Sequence, residues 1–210
     1  DIDLDYFLRT WPHQRVQMTV DAHSVGSMAQ GAIALLAKGF AVNANAAYER
    51  EPWPRKAVAE YARQLKTLTA YYVAHPKAPR LYQFTHPLLA YAQNLRSTEP
   101  QSRQCGAGDG FGVFDVDGAR YPCHMLSPLV LTPRQVADCP FDALASETMD
   151  FEDPRCAGCA YRSDCSTCAG CNYRFRGSFT ARDVTHCQLT QLEVMATMKL
   201  QTRLLLQKQS

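Results

Sequence analysis

The apolar positions in the first half of the chain switch repeatedly between strand spacing and helix spacing. "RVQMTV", Arg15 to Val20, alternates and is rich in β-formers, and "DAHS" leads from it into "SVGSMAQGAIALLAKG". There Val25, Met28, Ile33 and Leu36 recur at helical intervals; Asp21 or Ser24 can cap the start and Gly39 can close the end. "FAVNANA", Phe40 to Ala46, reads as a second strand. "PWPRKAVAEYARQLKTLTAYYVAHP" reads as a second helix with Val58, Tyr61, Leu65, Leu68 and Tyr72 on one stripe, Pro54 in its first turn and Pro76 ending it. "RLYQF" is expected to be a third strand and "HPLLAYAQNL" a further helical piece. The alternation predicts an α/β fold with parallel strands and crossover helices. Three such units are too few to close a barrel, and parallel strands need cover on both faces. The opening "DIDLDYFLRTW", with Leu4, Phe7, Leu8 and Trp11 at helical intervals, is therefore expected to enter an established fold partway through.

Ligands of α/β folds sit at the carboxyl ends of the strands, which makes Asn43, Asn45 and Glu49 cofactor-binding candidates. The alternative is plainer: the asparagines cap or turn, and Glu49 is solvated.

Beyond residue 104 the pattern changes. "FGVFDVDGARYPCH" alternates across Asp117-Gly118, which predicts a hairpin with a two-residue turn. All nine cysteines of the 210-residue chain fall between Cys105 and Cys187. Cys105 precedes the hairpin, Cys123 lies on its return, and Cys139 stands alone in "VADCPFD". "CAGCAYRSDCSTCAGC" then carries Cys156, Cys159, Cys165, Cys168 and Cys171, with Cys187 further on. A cysteine-free first half beside a cysteine-dense second half marks a domain boundary. The final stretch, with Leu189, Leu192, Met195, Met198 and Leu205 at helical spacing, predicts a C-terminal helix docking on the barrel.

Net charge is only +2, from 22 basic and 20 acidic residues, which gives no field to recommend nucleic acid or an anionic membrane as partner. No apolar run is long enough to span a bilayer and the first residues lack signal-peptide character, so the chain reads as cytoplasmic. In a reducing compartment dense cysteine points to metal rather than to disulfides. Cysteines two residues apart can converge on one metal, and four thiolates suit zinc and an iron–sulfur cluster alike. Two four-thiolate sites use eight cysteines and leave Cys139 as a buried thiol.

The order of these residues resembles the SPASM domain that extends many radical S-adenosylmethionine enzymes. The matching features are Cys105, twelve residues, Gly118, four residues, Cys123, a gap, Cys156-x2-Cys159-x5-Cys165, a nearby further cysteine, a gap and Cys187. The resemblance covers roughly residues 100 to 190. It implies the second half of a partial (β/α) barrel over residues 1–100, a small cysteine-rich α+β SPASM domain over 101–190 and a C-terminal helix over 191–210. It also implies two auxiliary [4Fe–4S] clusters. Cys156, Cys159, Cys165 and Cys187 would hold the outer one; Cys105, Cys123 and Cys171 would hold the inner one. Where the family has a cysteine four positions beyond Cys165 this chain has Ala169, and Cys168 and Cys171 flank it. The fourth inner ligand is thus either Cys168 or an open iron. His124 stands where some relatives place an acidic proton acceptor, which makes it a catalytic candidate. A lone histidine beside a metal loop is more often a hydrogen-bond donor or exposed, and His186 beside Cys187 reads the same way.

These residues contain no C-x3-C-x2-C motif for the catalytic cluster of that family. The implied enzyme modifies a peptide or protein by radical chemistry, with these clusters relaying electrons or anchoring substrate. S-adenosylmethionine and the third cluster would need the missing N-terminal half of the barrel or a separate catalytic subunit, so this chain alone is expected to be inactive. The rival reading is a non-catalytic zinc- or iron–sulfur-binding interaction module.

Overall fold

A computed structural model of the chain describes residues 3–12, 14–85, 107, 108, 110, 112–145, 153–161, 165 and 167–209. The predicted helical piece at residues 86–95 and the candidate ligand Cys105 lie outside the described residues. In chain order the elements are α1 (Leu4–Thr10), β1 (Arg15–Val20), α2 (Met28–Ala37), β2 (Ala41–Ala46) and α3 (Arg55–Ala74). They are followed by β3 (Val113–Phe114), β4 (Arg120–Tyr121), α4 (Pro133–Ala137), α5 (Phe141–Ala145), α6 (Ala169–Arg176) and α7 (Val184–Gln209). The chain divides into two compact units, Asp1–Leu95 with Val184–Ser210, and Arg96–Asp183. No helix among the described residues is long and apolar enough to cross a membrane.

In the first unit β1 and β2 pair in parallel, from Arg15 opposite Ala41 to Val20 opposite Ala46, with α2 as their connection. Alternation sends Val20, Val42 and Ala44 into a core with Met28, Ala32 and Leu36 of α2 and Tyr61, Leu65, Leu68 and Tyr72 of α3. The opposite face carries the polar residues Arg15, Gln17, Thr19, Asn43 and Asn45. α7 closes the same core with Leu189, Ala196 and Leu200. It begins at Val184 and so takes Cys187 into this unit.

α2 ends at Gly39, whose φ of +97° suits a residue without Cβ. Gly39 N–H donates to Leu36 O at 3.0 Å and Phe40 N–H to Leu35 O at 3.1 Å, the paired bonds of a Schellman stop. Its start is capped at long range. Ser27 makes no side-chain cap; instead Ala29 N–H donates to Gln64 Oε1 of α3 at 2.9 Å, while Gln64 Nε2 donates to Gly26 O at 2.9 Å. Asp21 and Ser24 organise the preceding loop, with Ser24 N–H donating to Asp21 Oδ1 at 2.7 Å.

"RLYQF" forms no strand. Tyr82–Phe84 is a single 3-10 turn. Leu81 N–H is taken by Tyr72 Oη at 3.0 Å and Phe84 N–H returns to Leu81 O at 2.9 Å, so these amides are satisfied without a ladder. Two carbonyls of β2 are instead occupied by side chains: Arg15 Nη1 donates to Val42 O, and the Gln83 amide donates to Ala44 O.

The second unit packs Ala107, Cys123, Leu126, Leu131, Cys139, Leu144, Tyr173 and Phe179 together. β3 and β4 are antiparallel, with Val113 opposite Tyr121 and Phe114 opposite Arg120. Their connection differs from the two-residue turn expected. Asp115 N–H donates to Ala119 O at 2.9 Å and Gly118 N–H to Asp115 O at 3.0 Å, which leaves a three-residue loop closed by Gly118 at φ +85°. Asp117 Oδ1 accepts from Ala119 N–H at 2.9 Å, so its side chain serves the return strand.

Candidate metal centre

Cys156, Cys159 and Cys165 form one neighbourhood in the second unit. Pro154–Cys156 is a 3-10 turn capped by Asp153, and Ala157 (φ −56°, ψ 121°) followed by Gly158 (φ +74°) reverses the chain. Cys159 N–H donates to Cys156 O at 2.9 Å, which completes a type II turn carrying a cysteine at each end. Arg182, buried at 6% exposure, donates from Nη1 to Cys165 O at 2.7 Å. Asp153 is buried as well and accepts from Arg155 N–H at 2.9 Å, the Arg155 guanidinium at 2.5 Å and Arg182 N–H at 3.0 Å. Those bonds hold its carboxyl well below the usual range, the Arg155 side chain contributing most. Burial raises the Cys156 thiol, the Arg182 cation offsets part of that rise, and charge on Asp153, Cys165 and Cys159 adds to it. The Cys156 thiol is thus within electrostatic reach of Cys159, Cys165 and the Arg182 cation.

Cys123, Cys168 and Cys171 form a second neighbourhood. Cys168 is the N-cap of α6, and its sulfur accepts from Cys171 N–H at 3.4 Å. A hydrogen bond from the Cys171 thiol lowers Cys168 to about 6 against the pull of burial, with the Cys171 and Gly170 amides and the His124 charge assisting. The same shared proton, with burial, drives Cys171 upward. Gly170 brings Cys123 to this helix start: a Cβ built there would lie 2.6 Å from Met125 Cβ and 3.4 Å from Cys123 Sγ. Cys139 also borders Cys123. Burial pushes its thiol up to about 11, partly offset by a hydrogen bond with Tyr173, whose hydroxyl donates to Gln135 O at 2.9 Å.

The remaining candidates behave differently. Cys187 lies on α7 in the first unit, where its sulfur accepts from Gln191 Nε2 at 3.6 Å. His124 is exposed in the 3-10 turn His124–Leu126 that follows Cys123. His186 stacks on Tyr48 at 3.8 Å and 3°, with Nε2 3.2 Å from Ala46 O, and so ties α7 to the loop after β2. Asn43 Oδ1 accepts from Arg15 Nη1 at 3.3 Å, and Asn45 Nδ2 donates to Gln17 Oε1 at 2.8 Å. Glu49 is half-buried beyond β2. Arg182, Asp153 and Gly170 were not singled out from sequence; an isolated arginine and aspartate leave no periodic signal, and only the fold carries them to the sulfurs.

Among the described residues no three His, Cys, Asp or Glu side chains converge as a metal-binding group. The donor chemistry nonetheless suits a sulfur-ligated cluster. None of the eight described cysteines is in a disulfide, and six of them fall in two groups, one beside a buried arginine and the other at a helix start with N–H groups facing sulfur. The chain matches no protein-family model, no curated protein and no solved structure.

Proposed function

We propose that the chain is the C-terminal part of a radical S-adenosylmethionine enzyme with a SPASM domain, which modifies a peptide or protein in the cytoplasm. The observation that carries this reading is the sorting of its thiols. The charges of Cys159, Cys165 and Arg182 act on the Cys156 thiol, while Cys168 and Cys171 sit with Cys123 across Gly170. Two auxiliary [4Fe–4S] sites need that division. The first set would supply three ligands of the outer cluster. The second, with Cys105, would hold the inner one and makes Cys168 its fourth ligand. Bound there, the clusters supply electron transfer or an anchor for substrate.

The protein's own residues have separable tasks. Gly158 presents Cys156 and Cys159 from one turn, and Arg182 offsets thiolate charge beside them. The start of α6 turns amides toward Cys168, and Gly170 leaves room for Cys123. The polar face of β1 and β2, with Asn43 and Asn45, is the surface of the partial barrel that would meet cofactor or substrate, and Glu49 follows it. The catalytic cluster and S-adenosylmethionine belong to the other half of the barrel, on the same polypeptide or on a separate subunit.

Anaerobic purification and reconstitution test the reading. Brown protein absorbing near 400 nm with about eight irons and eight sulfides per chain is expected, falling to about four in Cys123→Ala/Cys171→Ala. Colourless protein holding stoichiometric zinc under the same handling would replace it with the interaction module.

A further inference from the structure

A second surface lies in the first unit, on the seam between α3 and α7. A groove of about 270 Å³ runs there, its floor made by Leu65, Leu192, Met195 and Ala196. Lys66, Lys199 and Arg203 line the same groove. Among the described residues none of these three cations has an ion-pair partner. The acids of the two helices are turned to other tasks: Glu60 bonds Arg63 and Gln64, and Glu193, the one acid of α7, accepts from the buried Tyr61 hydroxyl at 2.5 Å. An apolar floor bordered by uncompensated positive charge is complementary to a ligand with an apolar stripe and acidic flanks.

We infer that this groove binds an acidic amphipathic helix of a partner protein, laid along the α3–α7 seam. The geometry favours a helix. Leu192 to Arg203 spans about 17 Å at 1.5 Å per residue, the length of about three helical turns. Lys199 and Arg203, four residues apart, share one side of α7, and Lys66 answers from α3. A third helix entering the seam would bury its own apolar residues against Leu192 and the half-exposed Met195 and place its carboxylates against the cations. The unbranched Met195 side chain can repack around such an occupant. This surface shares no residue with the cysteine sites and does not depend on whether they hold metal.

The test uses the whole chain and a fluorescein-labelled fifteen-residue helical peptide with a leucine stripe and glutamates elsewhere, alongside its lysine counterpart. Saturable anisotropy is expected with the glutamate peptide alone, weakening as salt rises from 50 to 500 mM. Lys66→Glu/Lys199→Glu/Arg203→Glu should lower that affinity at least tenfold and confer binding of the lysine peptide. Met195→Asp, which leaves the cations in place, should weaken the glutamate peptide at least threefold. Circular dichroism checks that the variants are folded. Equal binding of the two peptides overturns the proposal, as does no binding at millimolar peptide or an unchanged affinity in the charge-reversed chain. Phosphatidylglycerol vesicles that displace the glutamate peptide and lose binding in the same variant would assign the groove to an anionic lipid surface instead.

Discussion

Cys156-Ala157-Gly158-Cys159 and Cys168-Ala169-Gly170-Cys171 share one tetrapeptide sequence and adopt two conformations. In the first, Gly158 takes φ +74° with open space around it; in the second, Gly170 is helical and crowded by Met125 and Cys123. The two glycines are thus needed for different reasons, one for backbone freedom and the other for close approach. Gly158→Ala should cost about 1–2 kcal/mol by forcing a left-handed residue into the turn. Gly170→Ala should cost about 1–3 kcal/mol by overpacking against the Met125 Cβ, and Met125→Gly, which removes that atom, should relieve part of that loss while leaving Gly158→Ala unaffected. Urea titrations of the single and double variants check both. Asp153 adds a pH dependence. Its ionised form is favoured in the fold, so its contribution is complete above the ordinary carboxyl value near 4 and fades as pH falls toward the depressed folded value. Asp153→Asn should therefore lose about 2 kcal/mol at pH 7 and have a smaller deficit at pH 3. A deficit constant with pH would remove Asp153 from that role.

Among the elements, α2 depends on a residue from another helix. Its N-terminus lacks a local side-chain cap, and Gln64 both accepts from Ala29 N–H and donates to Gly26 O from within the core. Gln64→Leu keeps the shape and removes both bonds. It should cost about 1–3 kcal/mol in urea midpoint with an unchanged slope, because a buried amide is left without its acceptor. The expected third strand was lost at the same scale. "RLYQF" has the apolar content of a strand, but the Tyr72 hydroxyl captures Leu81 N–H and the Gln83 amide takes Ala44 O, and neither partner is visible in a local pattern. The hairpin strands were legible from alternation; their loop gained a residue because Gly118 closes it after Asp117.

At the scale of the molecule, the first unit is assembled from both ends of the chain. α7 supplies Leu189, Ala196 and Leu200 to a core otherwise built from residues before 85, and its Thr185 hydroxyl accepts from Trp53 N–H at 2.8 Å. Leu189→Ala and Leu200→Ala should each cost about 2–5 kcal/mol, whereas the exposed Met198→Ala should change stability by less than about 0.5 kcal/mol. Thermal unfolding followed by helical circular dichroism separates these outcomes. A unit closed by its last helix is vulnerable to any truncation after Asp183, since the exposed face of α3 would carry Tyr61, Leu65 and Leu68 into water.

The sequence by itself determined the local elements whose causes are local: the two alternating strands, the long stripe of α3, the glycine stop of α2 and the separation of a cysteine-free segment from a cysteine-dense one. Spacing also singled out the sulfurs. Only the tertiary structure decided what depends on residues distant along the chain: the cap that Gln64 gives α2, the turn that replaced a third strand, and the different uses of two identical tetrapeptides. It likewise placed Arg182 beside Cys165 and Cys156, and Gly170 against Cys123. Periodicity records how one element meets a surface, while a hydrogen bond or a close approach between distant residues exists only once the chain has folded.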